Sequence, residues 1–139
     1  MKNCFKILFL LLICVSCKQH ISQQDIAKLN GYWEIEKVVS PDFENKNYKI
    51  SETIDYFKIE NNIGFRNKVT PQFNGKYLVN EFPEKLKIVT KDNKTYIEYS
   101  TTFAKWKDEI ISISDSELVV KNESNIEYHY KKPTPFSVK

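Results

Sequence analysis

The residue types able to carry chemistry are few in this 139-residue chain: three cysteines, two histidines and the scattered carboxylates. Cys4, Cys14 and Cys17 all precede position 18, so the rest of the chain has no thiol for nucleophilic attack or soft-metal ligation. His20 and His129 stand far apart, and neither belongs to the close pair that zinc sites use. Strand alternation at Tyr128-His129-Tyr130 places Glu127, His129 and Lys131 on one polar face, which predicts a solvated histidine rather than a base. Asp108 and Glu109 are adjacent, so in a strand they point to opposite faces and cannot share a proton. There is no Gly-x-Ser-x-Gly elbow, and three glycines leave no phosphate-cradling loop. A carboxylate pair drawn from distant strands is the one catalytic arrangement these patterns leave open. The expectation is a non-catalytic protein with no cofactor and no metal.

Placing these residues begins at the N-terminus. Lys2 and Lys6 precede an apolar run, Ile7 to Val15, and the small Ser16 precedes Cys17. These are the three parts of a secretory signal. The run is too short to span a bilayer, which needs roughly 20 apolar residues. Removing Lys2 and Lys6 takes the formal charge from +3 to about +1, and the remaining charges are interspersed in sign. No basic stripe of the kind nucleic acid requires is visible, so no nucleic-acid partner is expected.

The segment Cys14-Val15-Ser16-Cys17 resembles the lipobox of bacterial lipoproteins, with Cys14 standing where that family usually has an aliphatic residue. The resemblance implies diacylglycerol on the Cys17 sulfur and cleavage before it. Two or more acyl chains anchor stably where one does not. It also explains why Cys17 has no partner: the mature chain would hold neither a free thiol nor a disulfide. By resemblance to lipoprotein sorting rules, Lys18 is not the aspartate of inner-membrane retention. Lys18 to Ser22 also lacks an acidic surface-export run. The expected location is therefore the periplasmic face of the outer membrane.

Lys18 to Gln24 reads as a short polar tether, and Ser22 as the N-cap of a brief helix through Ile26, Ala27 and Leu29, ended by Gly31. From Trp33 onward the period is two. Short β-branched and aromatic runs follow one another every 8–12 residues or so, the rhythm of an all-β barrel or sandwich. Turn signals separate them at Asn61-Asn62, Asn74-Gly75, Asp92-Asn93, Asp115-Ser116 and Asn122-Glu123-Ser124. Consecutive hairpins form a meander that closes into an up-and-down barrel of about eight strands when its ends pair; a β-sandwich is the alternative. The phase slips between Trp106 and Ile111, which predicts a bulge or a corner near Asp108. The boundaries that follow are a signal peptide at 1–16, lipidated cysteine, tether and helix at 17–28, a β domain at 29–132 and a tail at 133–139.

Leu29 to Val38, LNGYWEIEKV, resembles the opening of lipocalin-like domains, and Gly31-Tyr32-Trp33 matches their Gly-x-Trp. The whole chain is similar to small lipocalin-like lipoproteins of Bacteroidota. The resemblance implies that Gly31 permits the helix-to-strand turn, that Trp33 plugs one barrel end, and that the interior binds a small apolar ligand. The aromatics Trp33, Tyr56, Tyr99, Trp106 and Tyr128 are the candidates either to line a cup or to fill the core, since an eight-stranded barrel is just wide enough for either. Two roles follow. One is a membrane-anchored protein holding a small hydrophobic or amphipathic ligand. The other is a non-catalytic interaction protein (a complex subunit, inhibitor or immunity factor) with a filled barrel and an exposed apolar patch drawn from Phe43, Tyr48, Phe65, Phe73 and Phe82.

Overall fold

The computed structural model describes residues 20–47 and 53–133. The expected signal peptide, Cys17, Tyr48 and the tail beyond Pro133 lie outside the described residues. In chain order come helix α1 (Gln23–Ala27) and strands β1 (Gly31–Val39), β2 (Lys46–Asn47), β3 (Ile54–Glu60), β4 (Ile63–Pro71) and β5 (Tyr77–Val79). Then follow β6 (Glu84–Lys91), β7 (Lys94–Ser100), β8 (Lys105–Ile113), β9 (Glu117–Lys121) and β10 (Glu127–Lys131).

Turn chemistry sets the pairing. Asn61 and Asn62 take φ of 52° and 65°, and Asp92 and Asn93 take 52° and 61°. Positive φ at both central positions is the hairpin geometry whose twist matches that of the flanking strands, and Asn and Asp tolerate it better than other side chains. These turns join β3 to β4 and β6 to β7. Gly64 is required beside the first: a Cβ there would sit 1.8 Å from the Lys58 carbonyl oxygen.

Eight strands form an antiparallel wall, β1-β3-β4-β6-β7-β8-β9-β10, and β10 returns to β1 with Glu34 opposite Lys131 and Val39 opposite Glu127. The barrel is therefore closed, which excludes the sandwich alternative. β2 and β5 extend the upper edges of β1 and β4. The predicted bulge exists, but it lies between Ile110 and Ser112 rather than near Asp108. Placed there, the extra residue lets Ile110 and Ile113 both face inward. A second register shift falls between Ile35 and Lys37.

The two barrel ends differ because the strands run alternately up and down. One end carries α1 and the tight polar turns. Ser22 caps α1 as expected, its Oγ accepting from the Asp25 N–H while the Asp25 carboxylate accepts from the Ser22 N–H at 2.9 Å. The helix is shorter than the sequence suggests. It stops at Ala27, and the Lys28 and Leu29 N–H groups bond back to Asp25 and Ile26 in a tightened turn. Gly31 then starts β1 at φ +114°, a conformation an L side chain rarely adopts. That turn seats Trp33 under the barrel, fully buried, with its indole N–H donating to the Leu29 carbonyl at 2.9 Å. Above it lie Ile26, Leu29, Phe57, Ile88, Ile97, Ile110 and Leu118, packed as one apolar cluster. This half of the barrel is solid.

Candidate functional site

The other half is built differently. Along β3, Asp55 and Phe57 share the inward face, and on β4 their cross-strand partners are Lys68 and Arg66. Across β4 from Arg66 stands Glu84, the first residue of β6. Register thus brings three charged residues from separate strands to one level of the interior, just above the apolar plug. The Arg66 side chain is 10 % exposed, and its Nε donates to the Glu84 carboxylate. Its Nη1 lies 3.9 Å from Asp55 Oδ2, and its Cζ lies 4.2 Å from the Tyr99 ring centroid. Asp55 also accepts from Lys68 Nζ at 2.8 Å and from the Tyr130 hydroxyl at 3.1 Å.

Burial works against the Arg66 charge, yet the Tyr99 hydroxyl, Glu84 and Asp55 hold it firmly protonated. Burial, reinforced by Asp55, pushes the Tyr130 hydroxyl well up. It likewise raises Tyr99, with Arg66 opposing. The network is therefore a fixed set of charges at neutral pH, satisfied from within the protein, as buried ions require.

Above this network the barrel opens into a cavity of about 280 Å³, bordered by Ile35, Lys68, Trp106, Asp108, Tyr128 and Tyr130. Asp108 is 8 % exposed. Burial raises its carboxyl, with Arg66 opposing and Glu84, Glu123 and Asp55 adding to the rise. A second, open cleft of about 560 Å³ crosses the wall at β6–β8. Lys85 and Lys87 of β6 and Lys105 and Lys107 of β8 border it, brought together across β7 by their register.

The five candidate aromatics separate into three groups. Trp33 is the plug at the closed end. Tyr99, Trp106 and Tyr128 face inward: Tyr99 and Trp106 stack with ring centroids 5.4 Å apart, and Trp106 and Tyr128 border the cavity. Tyr56 corrects the expectation. It follows Asp55 and precedes Phe57, both inward, so alternation turns it to the outside. There its ring lies 4.7 Å from that of Tyr32 and 6.3 Å from that of Phe65, while Tyr32 stacks on Tyr77 at 4.4 Å. His20 is exposed as expected. His129 is not solvated as the alternation suggested: it is half-buried, and its Nε2 is buried with no hydrogen-bond partner among the described residues. Asp108 and Glu109 do point to opposite faces, Asp108 into the cavity and Glu109 outward, 4.0 Å from Lys121. Cys17 lies outside the described residues.

Arg66, Lys68, Asp55 and Glu84 escape sequence reasoning. In IGFRNKV the aromatic Phe65 looks like the inward residue and Arg66 like the solvated one. Only the pairing of Arg66 with Phe57 fixes the opposite parity.

A family model for lipocalin-like domains matches residues 29–120. Among solved structures, the fold is similar to that of an uncharacterized protein from Bacteroides eggerthii DSM 20697, with a TM-score of 0.50 and 12 % identity over 76 % of this chain and 99 % of that one. A lipocalin-like protein from Bacteroides uniformis ATCC 8492 aligns with a TM-score of 0.48 and 11 % identity, over 76 % of this chain and 99 % of that one. A search of curated proteins finds no match. The family match begins at the turn that seats Trp33 and runs through the strands that build the cavity wall as far as β9, and on that extent the chain belongs to the lipocalin-like domain family.

Proposed function

We propose that the protein is a lipid-anchored bacterial envelope lipoprotein whose barrel holds a small hydrophobic or amphipathic ligand at its mouth. The observation that carries the binding role is the division of the interior. The closed half is packed solid, while the mouth half leaves a cavity of about 280 Å³ bordered by Trp106, Tyr128 and Ile35 beside polar groups. That volume falls just below the usual range of ligand sites, about 300–1,000 Å³, which suits a small ligand. An amphipathic ligand suits the lining better than a purely apolar one, because Lys68, Asp108 and Tyr130 border the same space. A non-catalytic role accords with the fold, which is typically non-catalytic.

The anchor and compartment rest on the signal pattern and the lipobox resemblance at Cys17, with the periplasmic face of the outer membrane as the location. Native mass spectrometry of the full-length protein, extracted gently from its own envelope, tests the binding role. A reproducible added mass beyond that of the lipidated chain, lost on denaturation, is expected. A bare mass, together with no displacement of an apolar fluorescent probe by an envelope extract, would overturn it. Membrane fractionation tests the anchor: Cys17→Ser should abolish incorporation of a labelled fatty acid, and unchanged labelling would sink it.

One observation favours a second reading, an interaction protein. Phe43, Phe73, Phe82 and Phe103 are 74 %, 88 %, 81 % and 96 % exposed, and all lie in connections at the mouth end. Such a cluster is the expected footprint of a docking surface. Replacing the four by Ser should then abolish co-purification of a partner while leaving small-molecule binding intact.

A further inference from the structure

Among the described residues, Asp108 is the one inward charge of the barrel that makes no hydrogen bond or ion pair. Arg66 is held by Glu84 and Asp55, and Lys68 and the Tyr130 hydroxyl are held by Asp55. The Asp108 carboxylate makes no hydrogen bond or ion pair among the described residues, although the residue is more than nine-tenths buried and borders the cavity. Its oxygens are not sealed in, since His129 Nε2 is the one fully buried side-chain polar atom without a partner among the described residues, so a partner for this largely buried carboxylate comes from the space it borders.

The count of charges points the same way. Arg66 and Lys68 also border the cavity, but Asp55 and Glu84 already pair with them, so among the described inward charges Asp108 is the one left over. Trp106 and Tyr128 border the same cavity, and the faces of aromatic rings attract cations. The cavity holds roughly nine water volumes, enough for a compact molecule and too little for a long lipid chain.

We infer that the mouth cavity selects a small amine-bearing amphipathic ligand, whose ammonium group pairs with the Asp108 carboxylate while its apolar part packs on Trp106 and Tyr128. This rests on the cup reading above and sharpens it. A cation there supplies the missing partner of Asp108. A carboxylate-bearing ligand of the same size finds Arg66 and Lys68 already paired with Asp55 and Glu84, and a neutral alcohol leaves Asp108 without a partner.

The groups facing Asp108 also set a pH response. Arg66 favours its charged form, whereas Glu84, Glu123 and Asp55 oppose it, and Lys68, Asn122, Tyr128 and Tyr130 border the same space. Because burial raises the carboxyl, amine affinity should climb as pH rises through its titration, above the pH at which an exposed aspartate ionises.

Three probes sharing one skeleton test the inference: 2-phenylethylamine, 2-phenylethanol and 3-phenylpropionate, titrated calorimetrically into the full-length protein in detergent. The amine should bind at least tenfold tighter than the alcohol, and the acid more weakly than either. Asp108→Asn should lower amine affinity at least tenfold and leave the alcohol unchanged. Should Asp108→Asn fail to fold, the pH profile of amine binding to the unmodified protein decides, since affinity flat across pH 4–7 removes the carboxylate from the contact. Equal binding of amine and alcohol overturns the amine inference while leaving the cup intact. Binding of none of the three also overturns it, and the cup reading then stands or falls on the native mass measurement alone.

Discussion

The two halves of the barrel are made from the same strands, yet they obey different rules. Toward the closed end, inward positions are mainly Ile, Leu, Phe and Trp, with the Lys132 ammonium laid on the plug 3.9 Å from the Trp33 ring centroid. Toward the mouth, the inward positions of those strands become Asp55, Arg66, Lys68, Glu84 and Asp108. On β3 the change takes a single step on one face, from Phe57 to Asp55. The lesson is that the apolar half supplies stability and the charged half supplies shape and selectivity, because a buried ion network seldom stabilises more than an apolar core of equal volume.

The largest effect should come from the plug. Trp33→Ala removes the biggest fully buried side chain and leaves a void, and should cost about 3–5 kcal/mol in urea unfolding. A cost below about 1 kcal/mol would break the comparison at its base. Arg66→Met should come close, at about 3 kcal/mol, because it leaves Glu84 and Asp55 partly unpaired inside. Adding Glu84→Leu to it should recover most of that loss, and no recovery would mean that the charges themselves hold the upper barrel together.

Ser22→Ala should cost about 1 kcal/mol through the lost helix cap. The capping box also gives a pH signature of defined sign. Hydrogen bonds from Ser22, then Lys28, hold the Asp25 carboxyl down at about 2. Since the folded value is depressed, this stabilisation is present above the unfolded value of about 3.9 and disappears as pH falls toward 2. Thermal melts from pH 5 to pH 2 should show this loss in the native protein and not in Asp25→Ala.

The smallest shift should be a gain. Asp108 has a raised carboxyl, so its contribution favours the folded state below the unfolded value and is lost as pH rises through the folded one. Asp108→Asn should therefore melt slightly higher than the native protein at pH 7, with the difference vanishing near pH 3. A lower melting temperature at pH 7 would show that the mouth charge stabilises the fold, contrary to the division of labour drawn here.

The solid half was legible in the sequence because its signals are local. Asn61-Asn62 and Asp92-Asn93 announce hairpins through backbone chemistry, Ser22 announces a cap, and Gly31-x-Trp33 announces the turn and plug. The mouth was not, because it depends on register between distant segments. Phe57, Arg66 and Glu84 become neighbours only through two separate strand pairings. Tyr56 was placed on the wrong side for the same reason: an aromatic beside an aspartate looks inward until the pairing of β3 with β4 sets the parity. The four lysines over β6–β8 were likewise invisible as a group in a chain of interspersed charges. The bulge was foreseen from the clash of periods, but its position, between Ile110 and Ser112, follows from which isoleucines the core can accept.

The pairing of β1 with β10 has a consequence for how the chain acquires its structure. The first strand finds its partner in the last, so the wall is completed only after nearly the whole domain has left the ribosome. Contacts that join distant parts of a chain make folding slow, on the scale of milliseconds to seconds for all-β domains. During that interval β1 and β9 present open edges able to recruit strands from other chains. Any stop codon before Glu127 should therefore yield aggregates rather than a smaller working protein.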